Sequence, residues 1–136
     1  MTSQPEEDIK RYVANAVNYL ENALVALQNA EAGKAGELLW GSVAEALQAV
    51  AASKGSRLAN HRSLRYFATT LAKELQDPSL AEGFRLADGL HSNFYEVELE
   101  PQDVEVVVEP LRRTVLKLLA LIPTEILRPE VEGQGK

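Results

Sequence analysis

Apolar residues recur every three or four positions along most of the chain, and this spacing constrains the fold more than any other feature. The period is that of one face of an α-helix, whereas a half-buried strand alternates every two residues. In the first segment the apolar positions are Ile9, Tyr12, Val13, Ala16, Leu20, Ala23, Leu24 and Leu27. Because Pro5 and the acidic residues after it suit a first turn, the spacing predicts a helix over about residues 5–31.

Glycines mark the limits of the predicted second helix. Gly33 and Gly36 indicate a short break before it, and Gly55 is suited to a left-handed residue after its end near Lys54. Apolar side chains nearly encircle this helix, so we expect it to lie at the centre of a bundle. Trp40 is interpreted as a core or interface residue rather than a ligand-binding one, because it brings a large apolar area.

Capping residues mark the starts of the third and fourth helices. Asn60 is suited to cap a helix over about residues 61–76. Asp77 would cap the next helix and Pro78 would occupy its first turn, with the end near Val97. The short connections favour antiparallel packing of consecutive helices.

The last helix contains a β-branched run, residues 104–108, that resembles a strand. However, one helical stripe of apolar residues continues from Val104 past Pro110 to Ile122, and a strand followed by a separate helix would not keep that register. We therefore expect one helix that ends before Pro123, kinked or divided near its internal proline.

These elements predict a single all-α domain over residues 1–123, an up-and-down antiparallel bundle of about five helices. The length of 136 residues is that of one domain. Residues 124–136 lack periodicity and are predicted to form a flexible tail.

Composition excludes several classes of protein. The absence of cysteine excludes a disulfide framework, thiolate zinc sites and cysteine nucleophiles. No apolar run approaches the roughly 20 residues of a membrane span, and the acidic N-terminus does not resemble a signal peptide. We therefore expect a cytoplasmic protein without a membrane partner.

The net charge of −6 argues against a module that binds nucleic acid duplexes by neutralising many phosphates. A local group of basic residues, Arg57, His61, Arg62 and Arg65, could still hold RNA. The alternative interpretation of this group is a solvated helix face with ion pairs one turn apart.

Familiar cofactor and metal motifs are absent from the sequence. It contains no GxxxxGK[ST] phosphate loop, no GxGxxG fingerprint and no HExxH. The paired Glu-x-x-His motifs of di-iron bundles are also missing, since Asp88 stands three residues before His91 and no second pair exists. The sequence therefore predicts neither a metal nor a cofactor.

The constellation of Arg85, Asp88 and His91 on the fourth helix suggests catalysis. A carboxylate fixes the tautomer of histidine, and an arginine neutralises a phosphodiester under attack, which are parts for metal-free RNA cleavage. Arg85 and His91 lie about 120° apart on an ideal helix, so a shared phosphate would require two copies across a twofold axis. The alternative is a surface Arg85–Asp88 pair beside a hydrogen-bonded histidine.

Four more residues are candidates for substrate binding: Asn93, Tyr95, His61 and Arg62. Tyr95 lies four residues after the histidine of the fourth helix and could hydrogen-bond to it. Asn93 and Tyr95 are interpreted first as buried or interface polar groups and second as ligand contacts. His61 starts the third helix, where an imidazole is more often structural than catalytic.

Several segments occur in an order that resembles a known family. Residues 34–47 contain a Glu-x-x-Trp-Gly stretch, residues 60–64 read Asn-His-Arg-Ser-Leu, and residues 90–96 read Leu-His-Ser-Asn-Phe-Tyr-Glu. An acidic connection then leads to the last long helix. Over about residues 10–120 the chain resembles the archaeal PaREP family, which is grouped with the HEPN superfamily.

The resemblance implies an up-and-down, HEPN-like helical bundle, typically a homodimer, from a thermophilic archaeon. The HEPN superfamily includes metal-independent RNases with an Arg-x4–6-His motif at a dimer interface, toxins paired with small nucleotidyltransferases, and non-catalytic members. Arg85 and His91 match that motif in spacing. Leu86 departs from it, because active members often carry a polar residue directly after the arginine.

Two hypotheses follow. The favoured one is a small dimeric, non-enzymatic module that binds a partner protein or a nucleotide, with the fourth helix at or near the interface. The alternative is a toxin-type, metal-independent endoribonuclease that uses Arg85 and His91 from both subunits, with a nucleotidyltransferase-type antitoxin as partner. In that case both side chains should open into one cleft, with Asp88 within hydrogen-bond reach of one of them.

Overall fold

The computed structural model describes residues 3–96 and 99–128, with the side chains of residues 93–96 outside that description. This part of the chain forms six helices: α1 (Gln4–Gln28), α2 (Ala32–Ser53), α3 (His61–Glu74), α4 (Pro78–Glu96), α5 (Pro101–Leu119) and α6 (Thr124–Leu127). It contains no strand, so the all-α prediction is confirmed. Within the same residues, no helix combines the length and the hydropathy needed to cross a bilayer.

Helix α2 lies at the centre of the bundle, as its apolar circumference predicts. It packs against α1, α3, α4 and α5, and its contact with α1 is the most extensive. Two small residues permit this close approach: the ring of Tyr19 lies over Gly41, and the buried hydroxyl of Ser42 donates a 2.7 Å hydrogen bond to the carbonyl oxygen of Ala16. The central helix is therefore fixed to α1 by both packing and a buried hydrogen bond.

The break before α2 differs from the prediction, because Gly33 and Gly36 both lie inside the helix. The turn is made instead by Ala30, which has the left-handed φ of 61°. A Cβ at position 36 would lie 3.2 Å from Leu99 Cδ1 and 3.6 Å from Leu90 Cβ. This glycine thus permits the side chain of Leu99, which precedes α5, to approach α2 closely, and it does not end a helix.

The connection between α2 and α3 is held by a side-chain amide. Gln48 donates to the carbonyl oxygen of Leu58 at 2.7 Å and accepts from the nitrogen of the same residue at 3.3 Å. Gly55 has a φ of 81°, as expected for a left-handed residue after α2. Asn60 Oδ1 then accepts from Ser63 N at 2.9 Å, so the predicted cap of α3 is confirmed.

The start of α4 is tied to the end of α5. Asp77 Oδ1 accepts hydrogen bonds from the backbone nitrogen and the hydroxyl of Ser79, which confirms the predicted cap. Lys117 Nζ on α5 donates to Asp77 Oδ2 at 3.0 Å and to Ser79 Oγ at 2.8 Å. The hydrogen bond from Ser79, followed by that from Lys117, lowers the pKa of Asp77.

The β-branched run at residues 104–108 is helical, and α5 continues through Pro110 without a division. The predicted tail begins with a further short helix, α6, so the described chain has one helix more than expected. Ile126 and Leu127 of α6 pack against the core. The remainder of the predicted tail, residues 129–136, lies outside the described residues.

Gly83 and Gly89 on α4 provide a matched pair of substitutions. A Cβ at position 83 would lie 2.7 and 2.8 Å from side-chain carbons of Thr114 on α5, whereas position 89 is exposed with nothing within 4 Å. We expect Gly83→Ala to lower the free energy of unfolding by about 1–3 kcal/mol through overpacking. Gly89→Ala should raise it by about 0.5–1 kcal/mol, because alanine favours the helix.

Urea denaturation followed by circular dichroism measures both effects. Shifts of the same sign and size in the two variants would contradict the close approach of α4 to α5.

Candidate functional site

Three stacked rings from three helices meet at the surface of the bundle. The indole of Trp40 on α2 stacks with the imidazoles of His61 on α3 and His91 on α4, with centroid distances of 5.2 and 5.1 Å and interplanar angles of 27° and 20°. The two imidazole centroids are 6.3 Å apart, so the centroids form a triangle and not a column. We call Trp40, His61 and His91 the imidazole–indole cluster.

The local sequence explains why these rings meet. The Gln48 amide and the Asn60 cap fix the start of α3, and His61 is the first residue of that helix. On α4, Phe84 and His91 are seven residues apart, which places them on one face. Phe84 is buried beneath the cluster and meets the indole edge-on at 5.6 Å, so it supports the rings from the core side.

Each imidazole of the cluster is paired with a carboxylate. His61 Nε2 lies 3.0 Å from Asp88 Oδ1, and His91 Nδ1 lies 3.0 Å from Glu37 Oε2. A carboxylate accepts from the ring nitrogen that faces it, so each pair orients its imidazole and favours one tautomer. The side chains of the two histidines are 39% and 31% exposed, so both rings are accessible from solvent while being held in place.

This arrangement supplies flat ring surfaces, hydrogen-bond acceptors and two imidazoles. Among the described residues, no three histidine, aspartate or glutamate side chains converge closely enough to hold a metal ion. The rings and carboxylates at the cluster can stack on a ligand and form hydrogen bonds with it.

The residues predicted for catalysis separate into two groups. His91 belongs to the cluster, and Asp88 lies beside it, where it forms an ion pair with the His61 of α3. Arg85 instead forms an ion pair with Glu82 on its own helix, and its side chain is 70% exposed. The carboxylate expected to lie beside Arg85 or the histidine of α4 thus orients a different imidazole.

The predicted substrate-binding residues also differ in where they lie. His61 is part of the cluster, and Arg62 follows it on α3 with an exposed side chain. The side chains of Asn93 and Tyr95 lie outside the described residues, so their predicted role stays a prediction.

Sequence reasoning missed two residues of the site, Glu37 and Trp40. They lie one turn apart on α2, and both belong to the Glu-x-x-Trp stretch that carries the family resemblance. Trp40 was interpreted as core or interface, and it does pack against the core while remaining half-buried. The signal that could have identified them is the spacing of three residues, which places an acid and a tryptophan on one face of the helix.

The fold and the cluster together define a small all-helical protein with two carboxylate-paired histidines around its single tryptophan. The sequence matches the model of the archaeal PaREP1/PaREP8 family over residues 11–115. Because the match covers most of the chain, the protein belongs to this family. The matched segment includes every residue of the cluster. No curated protein sequence and no solved structure matches the chain.

Proposed function

We propose that the chain is a dimeric, HEPN-like nucleotide-binding module and that the imidazole–indole cluster is its binding site. The observation that carries this proposal is the presence of two carboxylate-paired imidazoles beside a half-buried indole on one accessible surface. Flat rings stack on nucleobases, and carboxylate oxygens accept hydrogen bonds from the amino groups of a base.

The charges favour one orientation of the nucleotide. Glu37 and Asp88 place two carboxylates at the cluster, which repel a phosphate but suit an amino group of a base. Arg62 follows His61 on α3 and is exposed, so it offers a cation for the phosphate beside the cluster. The proposed nucleotide thus places its base at the rings and its phosphate towards α3.

The single tryptophan of the chain, Trp40, reports binding by its fluorescence. We expect AMP to change its emission in a saturable way and ribose 5-phosphate to have little effect, because the base makes the main contacts. Asp88→Asn should weaken AMP binding about tenfold, since hydrogen bonds to charged groups contribute about 1.5–3 kcal/mol.

Glu82→Gln is the matched control, because it also removes one carboxylate of α4 but lies outside the cluster. Equal losses of affinity in Glu82→Gln and Asp88→Asn, or the absence of any response to AMP, would contradict the proposed site.

Dimerisation is supported by exposed apolar side chains on α1. Val17 and Leu24 are each 37% exposed, and their spacing of seven residues places them on one face of the helix. Tyr12 and Trp40 pack partly buried against the core of one chain. The proposed interface therefore includes α1, with at least about 1,000 Å² of buried surface.

Light scattering should return twice the 14.9 kDa mass of one chain. Leu24→Asp should reduce that mass to one chain, because it places a charge within the interface. Val106→Asp on α5 is the control, since this exposed valine lies on another helix. A monomeric wild-type protein at micromolar concentration would contradict the dimer.

A second candidate function, metal-independent endoribonuclease, is favoured by the two carboxylate–imidazole pairs, which are suited to acid and base roles. One imidazole would take the proton of a 2′-hydroxyl as its oxygen bonds to the adjacent phosphorus. The other would protonate the 5′-oxygen as its bond to phosphorus breaks, leaving a 2′,3′-cyclic phosphate. Arg85 would have to leave Glu82 to neutralise the phosphate.

A nucleotidyltransferase-type antitoxin would then be the proposed partner, and both functions imply a cytoplasmic protein.

Incubation of single-stranded RNA with the protein in EDTA tests this second function. If it holds, His61→Gln and His91→Gln should each lower the cleavage rate by about 10²–10⁴-fold, the usual contribution of general acid–base catalysis. Arg85→Gln should lower the cleavage rate if the site pairs arginine with histidine. It should leave the rate unchanged if the two histidines alone form the site. Cleavage that is unchanged in both histidine variants, or absent from the wild type, would exclude catalysis at the cluster.

A further inference from the structure

The outward face of α3 carries a row of basic and aromatic side chains. Arg62, Arg65, Tyr66 and Lys73 are all exposed, and their spacing of three, four and seven residues places them on one side of the helix. We call these four residues the basic stripe. The only acidic residue of α3 is Glu74, its last residue. The stripe is therefore locally cationic in a chain with a net charge of −6.

The cations of the stripe are available to a ligand. Within the described residues, no carboxylate forms an ion pair with Arg62, Arg65 or Lys73. Arg85 and Arg112, by contrast, each pair with a glutamate three residues earlier on the same helix. Helix α3 has no acidic residue three positions before any of these cations. The three cations are therefore left for solvent or for an anionic partner.

An exposed aromatic ring lies between these cations. Tyr66 is 74% exposed, the largest exposure among the exposed large apolar and aromatic residues described. Folding gains little from a ring in this position, whereas a planar ring beside cations is the usual platform on which proteins stack the bases of single strands.

The far end of the stripe borders an apolar hollow between α3 and α4. Its lining residues are Thr69, Ala72, Lys73, Gln76, Pro78 and Ala81. The mainly apolar floor suits the face of a nucleobase, and Lys73 at its edge suits the phosphate beside that base. Arg62 and Lys73 are about 16 Å apart along the helix axis, which is the reach of a few nucleotides.

We propose that the basic stripe of α3 binds a single-stranded polynucleotide, with its backbone along the cations and a base stacked on Tyr66. Because α3 begins at His61, a strand on the stripe would end at the imidazole–indole cluster. This extends the proposed nucleotide site to a site for a strand. It rests on the proposed function only in placing the end of the strand at the cluster.

Fluorescence anisotropy of labelled 12-nucleotide oligo(A), as RNA and as DNA, tests the proposal at 50 and 200 mM salt. Wild-type protein should bind, and its affinity should fall with salt as counterions are released. Arg65→Gln and Lys73→Gln together should weaken binding at least tenfold at 50 mM salt and reduce the salt slope. Tyr66→Ala should weaken binding at both salt concentrations with little change in slope, and Tyr66→Phe should restore it.

Arg113→Gln on α5 is the matched control, because it removes an exposed cation for which the described residues provide no ion pair. It should leave binding within twofold of the wild type. A loss as large as that of the double variant Arg65→Gln/Lys73→Gln would show a response to net charge alone and would overturn the proposal. Preferential binding of a 12-base-pair duplex, or a stripe variant that changes only the oligomeric mass, would also overturn it. Tighter binding of RNA than of DNA would support it and add a contact to the 2′-hydroxyl.

The AMP titration followed by Trp40 separates the two proposals. Arg65, Tyr66 and Lys73 lie outside the cluster, so their variants should bind AMP as the wild type does. Oligo(A) binding without an AMP response would overturn only the cluster site, whereas an AMP response without oligo(A) binding would overturn only the stripe.

Discussion

The burial of α2 is the constraint on which the rest of the structure depends. Apolar side chains cover almost its whole circumference, so the helix is stable only when other helices enclose it. Helices α1, α3, α4 and α5 provide that cover, and small residues let the nearest of them approach closely. Glu37 and Trp40 lie where this cover is incomplete. The candidate site is thus a gap in the enclosure of the central helix, between α3 and α4.

The enclosure also determines how rigidly the site is held. Trp40 is anchored on the central helix, and the buried Phe84 meets its edge. His61 is held by the cap of α3 as well as by Asp88, and His91 is held from α2 by Glu37. Each imidazole therefore has support from an element other than its own, which is what a preorganised binding or proton-transfer site requires.

Local sequence patterns predicted much of the fold. The features that were predicted wrongly depend on contacts between helices, which a local pattern does not contain. The register through Pro110 and the caps at Asn60 and Asp77 depend on nearby residues, and the structure confirms them. The predicted helix break at Gly36 is wrong, because a glycine that ends a helix and a glycine that makes room for a neighbouring side chain look alike in sequence. The predicted partner of Asp88 is wrong, because its carboxylate pairs with a histidine of another helix. Such pairs depend on which helices are neighbours in the bundle.

The net charge of the chain is a weaker guide to polynucleotide binding than its distribution. At physiological ionic strength the field of an exposed charge decays over about 8 Å, so carboxylates on distant helices act little on a strand lying along α3. Near that strand lie the cations of the stripe, Glu74 at the end of α3, and the carboxylates of Glu37 and Asp88 beside the cluster. In the proposed complex the cations attract the phosphate backbone, and the two carboxylates suit the amino group of a base at the rings. In that complex the stripe would contact the backbone and one base on Tyr66, and the cluster would receive the base at the end of the strand.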